Sequence, residues 1–182
     1  MYCPKNRKLF YHMNLKHFEF NHRDMETFFI SGIGTGIGKT FATGFIAKKI
    51  ISAGRSVSYM KPIQTGIAED VPDLETVKGI CPEIIIDKNF SCPYSFALPA
   101  SPHFAAKCEN RRIRISKIID SFRKIRQLYP DSISLVEGAG GLMVPIYANL
   151  LLLDIIKKLK IPVLLVSSPY IGSINHTLLS TY

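Results

Sequence analysis

The sequence predicts an α/β fold, a parallel sheet with helices on both faces, and three observations predict it. Short uninterrupted apolar runs alternate with stretches of helical periodicity, the pattern of strands buried on both sides. A glycine-rich turn joins the first such run to the first helix. The chain has 182 residues, of which 47% are apolar, and a mean hydropathy of +0.14. That is enough to bury one core and too short for several domains.

The elements follow in order. Residues 27–31 (T-F-F-I-S) read as a buried strand, and the helix after the glycine turn runs from about Lys39 to Ser52, with Gly54 as its C-terminal stop. Residues 56–60 (S-V-S-Y-M) form a second strand. The polar stretch 64–79 holds a short helix around Leu74–Lys78, and residues 81–103, rich in Pro and Ser, read as an irregular surface segment. Ser116 is the expected N-cap of a helix reaching Tyr129. Its apolar face is Ile118, Ile119, Phe122, Ile125 and Leu128, and Pro130 ends it. Residues 132–136 are a third strand, 150–159 a helix and 162–167 a fourth strand, and a last helix begins near Ser173.

Charge and cysteine usage narrow the function classes. Lys and Arg number 23 against 14 Asp and Glu, a formal net charge of +9. Much of the excess lies between 107 and 126, where eight basic residues face only Glu109 and Asp120. The basic residues fall mostly opposite the isoleucine face, as on a solvated surface, and no nucleic-acid partner is expected. Cys3, Cys81, Cys92 and Cys108 show no C-x-x-C or zinc spacing, which suits a reduced, cytoplasmic protein. The most apolar stretch, 142–156, is interrupted by Pro145, Asn149 and Asp154, so no membrane association is expected. Residues 1–24 carry basic residues and three histidines without a clear period. They read as a disordered or spurious extension ahead of a domain over 25–182.

Three motifs carry chemistry. Residues 32–40 (G-I-G-T-G-I-G-K-T) lie between a strand and a helix, where backbone N–H groups and the helix dipole converge on phosphate. Lys39 would reach the β- and γ-phosphates and Thr40 would ligate Mg²⁺. The strict phosphate-loop pattern fails at one position, Ile33, and the dinucleotide fingerprint fails outright. Residues 134–141 (S-L-V-E-G-A-G-G) place Glu137 at a strand end as the second metal ligand, with Gly138, Ala139 and Gly140 leaving room for a nucleotide. Residues 61–66 (K-P-I-Q-T-G) put Lys61 at the same carboxyl edge.

In this order, and together with P-Y-S-F-A-L-P-A-S-P-H at 93–103 and G-S-I-N-H at 172–176, these motifs resemble dethiobiotin synthetases, which have a P-loop NTPase-like fold with a deviant phosphate loop. The resemblance implies closure of a ureido ring from 7,8-diaminononanoate and CO₂ or bicarbonate, with ATP as co-substrate and Mg²⁺ as cofactor. It implies that Thr40, Asp73 and Glu137 hold Mg²⁺, and that Gly36, Ile37, Gly38, Lys39, Thr40 and Phe41 line the phosphates. Lys61 would be the catalytic lysine, working with Lys39, and Thr65 would contact substrate. Asn175 would meet the substrate carboxylate across a homodimer. Members of that family continue beyond the point reached at Tyr182 with an adenine-reading strand, so the domain is expected to lack its C-terminal part. Two other readings stay open: a regulatory or partitioning ATPase of the same branch, and an inactive truncated homologue. The partitioning enzymes carry an early lysine in the loop, where this sequence has Gly34.

Overall fold

The computed structural model describes residues 27–67 and 72–181; the expected extension at 1–24 lies outside them. The first half contains β1 (Thr27–Gly32), α1 (Lys39–Ser52), β2 (Val57–Met60), β3 (Ile63–Thr65), α2 (Pro72–Ile80), β4 (Tyr94–Phe96) and α3 (Pro102–Cys108). The second contains α4 (Ile115–Leu128), β5 (Ile133–Gly141), β6 (Pro145–Tyr147), β7 (Leu150–Leu151), α5 (Leu152–Leu159), β8 (Val163–Val166) and α6 (Ser173–Thr181). Four strands form a parallel sheet in the order β2-β5-β1-β8. A parallel pair β3–β4 and an antiparallel pair β6–β7 stand apart from it.

Side chains alternate across a strand, so each apolar run feeds two cores. Phe28, Ile30, Val57, Tyr59, Ile133 and Leu135 pack with Ala47 and Ile50 of α1 and with Leu74 and Val77 of α2. Their neighbours Phe29, Met60 and Val136 point the other way, onto Ala105, Ile118, Ile125, Leu152 and Ile155 of α3, α4 and α5. Burying each such large side chain contributes about 1.5–3 kcal/mol. The same alternation carries Glu137, two residues beyond Leu135, to the α1 side of the sheet.

Several local expectations change. Helix α4 starts at Ile115 with Arg114 as its N-cap and no side-chain cap, not at Ser116. Burial of Ile115 and Ile118 against the core decides the start. Leu128 is 53% exposed, because the chain turns away at Tyr129. The segment 81–103 is not irregular throughout: it supplies β4, which pairs with β3 inside the lysine motif, and the first residues of α3. Strand β5 runs on through the glycines to Gly141, and the helix expected from Leu150 begins at Leu152 after a short β6–β7 pair. Part of the basic surface is not simply solvated. Arg111 stacks over Phe96, Arg112 over Tyr147 and Lys117 over Tyr94, with 4.2 to 4.8 Å between charge and ring centre.

The sheet is less well covered at β8. Val163 is 38% exposed, and α6 contains no buried residue. Among the described residues no helix is long and apolar enough to cross a membrane.

Candidate functional site

Strand β1 ends at Gly32, and the chain turns through residues 33–38 into α1. A Cβ at Gly32 would clash with Ile37 Cδ1, so any side chain there would force Ile37 to move. Gly38, at φ 93°, adopts the left-handed conformation that lets the loop enter the helix. Gly38 provides no side-chain cap, and the first turn of α1 contains no acidic residue. Its N–H groups and dipole are therefore left for an anion.

Beside this loop lies a cavity of about 680 Å³. Thr35, Gly36, Gly38, Lys39, Thr40 and Phe41 line it from the loop side, and Ala139 and Gly140 from the end of β5. Lys61, Gln64, Thr65, Asp73, Glu137 and Ser101 complete its polar wall. The structure thus brings most of the expected residues to one crevice. Three do not line it, though the Gly138 carbonyl is within reach of Lys61 Nζ. Ile37 folds back over Gly32, and Gly138 packs against Leu152 and Phe29. Asn175 is exposed on α6, away from the cavity lining.

Glu137 is the centre of the site and is fully buried. A carboxylate taken from water needs a donor for each lone pair, and this one has four donors. Its Oε1 accepts from Lys61 Nζ and Thr40 Oγ1, both at 2.8 Å. Its Oε2 accepts from the Tyr59 hydroxyl at 2.9 Å and Thr43 Oγ1 at 3.0 Å. Lys61 Nζ also contacts Asp73 Oδ2 at 2.6 Å and the Gly138 carbonyl at 3.3 Å. Burial lowers the Lys61 pKa, but Glu137 and Asp73 outweigh it, so the net shift is upward and the ammonium is held charged. Burial pushes the Tyr59 phenol well above its ordinary range, helped by the charge of Glu137, so it stays a donor.

Lys39 is in the opposite situation. It is 7% exposed, and its ammonium donates to the Gly34 carbonyl at 2.8 Å within its own loop. Burial, then the nearby Lys61 charge, lowers its pKa to about 8, against partial support from Glu137 and Asp73. A phosphate arriving beside it supplies the countercharge it lacks.

The donor set suits a hard cation. Asp73 and Glu137 present oxygens to one point where a positive charge already sits, the Lys61 ammonium, and the Thr40 hydroxyl lies 2.8 Å from the same Glu137 oxygen. Among the described residues no group of three or more His, Cys, Asp or Glu gathers to hold a metal. One or two carboxylates completed by phosphate oxygens is the usual Mg²⁺ arrangement.

Sequence reasoning gave no site role to Tyr59, Thr43, Thr35 or Ser101, although Thr35 lies in the glycine loop and Ser101 in the motif at 93–103. Thr43 stands three residues after Thr40 on one helix, so both hydroxyls share a face, a spacing visible in K-T-F-A-T. Tyr59 needed the register: it pairs with Leu135 on β5, which brings its phenol level with Glu137.

An AAA domain family profile matches residues 26–181. The chain is 45% identical over 157 residues to an ATP-dependent dethiobiotin synthetase BioD 2 of Haemophilus ducreyi, covering 84% of this chain and 72% of that protein. It is 46% identical to the enzyme of the same name from Haemophilus influenzae, covering 84% of this chain and 80% of the relative. A dethiobiotin synthetase BioD of Sulfurovum is 39% identical, with 86% and 75% covered. At this identity over most of both chains, the protein belongs to the dethiobiotin synthetase family.

Proposed function

We propose that this protein closes the ureido ring of dethiobiotin from 7,8-diaminononanoate and CO₂ with ATP, through a phosphorylated carbamate. The observation that carries the reading is the buried Lys61 ammonium, which sits between Asp73 and Glu137 on the same cavity as the phosphate loop. CO₂ adds to one amine of the substrate, giving a carbamate anion. That anion must meet a triphosphate, and two like charges approach only where cations are concentrated. Lys39, beside the helix N-terminus, receives the phosphates, and Lys61 holds the carbamate against them. Thr40, Asp73 and Glu137 would hold Mg²⁺, which neutralises charge on the phosphate oxygens when bound. Transfer of the γ-phosphoryl group to a carbamate oxygen, with ADP as the leaving group, makes the carbamate carbon electrophilic. The second amine attacks it intramolecularly and phosphate leaves, with ring closure favoured by proximity.

Gly36, Gly38, Lys39, Thr40 and Phe41, with Ala139 and Gly140, form the nucleotide wall, and Thr65 contacts the diamine. The protein works in the cytoplasm, consistent with Cys81, Cys92 and Cys108 being free thiols. It works as a homodimer, in which Asn175 meets the substrate carboxylate bound by the partner.

The test is direct. The purified chain with diamine, labelled bicarbonate and Mg-ATP is expected to form labelled dethiobiotin, and Lys61→Ala is expected to slow it by about 10²–10³-fold. No product from the wild type, or equal product from the variant, overturns the assignment.

A further inference from the structure

The two oxygens of Glu137 have different surroundings. Oε1 shares its donors with the cavity: Lys61 and Thr40 both line it. Oε2 faces the protein interior, where its donors, Tyr59 and Thr43, are both fully buried. The Thr43 hydroxyl has one proton and two acceptors in reach, Oε2 at 3.0 Å and the Lys39 carbonyl at 2.9 Å. The Tyr59 hydroxyl has Glu137 as its acceptor at 2.9 Å, so it is the dedicated partner of Oε2.

We infer that Tyr59, seconded by Thr43, is a positioning residue that turns Glu137 so that a divalent cation displacing the Lys61 and Thr40 donors meets Oε1 alone. This rests on the proposed function, in which Glu137 is a metal ligand. The withheld oxygen has a consequence for selectivity. A small cation such as Mg²⁺ or Mn²⁺ is served by a single carboxylate oxygen, whereas Ca²⁺, larger and of higher coordination number, gains from taking both. Hydrogen bonds behind a ligand commonly change metal affinity by about 10–100-fold when removed. Tying Oε2 to the β2 strand and to α1 thus favours the smaller ions without any change in the ligands themselves.

The experiment follows Mn²⁺ by electron paramagnetic resonance on the full chain with ADP bound, displacing it with Mg²⁺ and with Ca²⁺. Tyr59→Phe is expected to raise the Ca²⁺-to-Mg²⁺ affinity ratio about tenfold. Thr43→Val is expected to raise it less, and Thr43→Ser, which keeps the hydroxyl, to leave it at the wild-type value. A role confined to packing lowers stability without moving this ratio. If Tyr59→Phe does not fold, Thr43→Val against Thr43→Ser makes the same comparison. A ratio unchanged in the folded variants overturns the inference and leaves the proposed function standing. Absence of Mn²⁺ binding to the wild type with ADP overturns the proposed function itself.

Discussion

The β1–α1 and β8–α6 units repeat one chain plan, a parallel strand followed by a turn containing glycine and a helix, yet only the first builds a site. β1 is buried throughout and lies between β5 and β8; among the described residues β8 is paired with β1 alone and is partly exposed. Helix α1 buries Lys39, Thr43, Gly44, Ala47 and Ile50, and α6 buries nothing. The difference lies in the neighbours. Strand β5 brings Glu137 to the loop, and β2 brings Tyr59 and Lys61 to Glu137. A glycine turn before a helix is an opportunity for anion binding. The flanking strands make it a chemical site by supplying charge and excluding water.

The strongest way to break this comparison is to remove the buried cation. Lys61→Met is expected to lower turnover by about 10²–10³-fold. It should also destabilise the fold by about 3–5 kcal/mol, because Glu137 is left buried without its countercharge. Adding Glu137→Leu to that variant should restore part of the stability, less the cost of leaving the buried Tyr59 hydroxyl without its acceptor, and none of the turnover. Denaturant titration of both variants decides it; a double variant no more stable than the single one shows the pair to be structural support.

A smaller effect separates Lys39 from Lys61. Because the Lys39 pKa falls to about 8, the bound triphosphate must draw a proton onto it at higher pH. ATP affinity is expected to fall as pH rises above about 8, by up to about tenfold per unit. Lys39→Met should bind more weakly with no such slope. For stability the sign is opposite: between about 8 and 10.5 the unfolded chain binds more protons at this residue than the folded one. This residue therefore adds stability as pH rises through that window. Calorimetric titration at several pH values tests the affinity, and a flat profile refutes the assignment.

The smallest effect belongs to the other unit. Ile174→Asp is expected to alter folding stability by no more than about 0.5 kcal/mol, since the side chain is 77% exposed. It should nonetheless shift sedimentation from dimer to monomer. A large loss of stability in dilute protein would mean that α6 packs on its own subunit.

Much of this was legible in the chain because periodicity and glycine spacing are local. The four parallel strands, α1 with Gly54 behind it, and the convergence of Lys39, Lys61 and Glu137 all follow from short windows of sequence. The partnership of β3 with β4 was not legible, because Ile63–Thr65 and Tyr94–Phe96 are short and lie about thirty residues apart. The four-donor shell of Glu137 was hidden for the same reason, since Tyr59 reads as an ordinary strand aromatic until register places it. At Ser116 a local capping preference lost to the burial of Ile115.

One clasp has consequences for anyone rebuilding the protein. Ser91 accepts the backbone N–H of Lys61 with its carbonyl at 2.7 Å, and its hydroxyl donates to the Tyr59 carbonyl at 2.6 Å. The hydroxyl also accepts the N–H of Asp87 at 2.9 Å, closing the 87–91 turn on itself. The segment looks like a connector open to exchange, yet it grips the main chain on either side of Met60. Loop grafting, shortening or library diversification at 87–91 would therefore reach the reaction centre through the backbone. Recombination boundaries for this scaffold belong outside that turn.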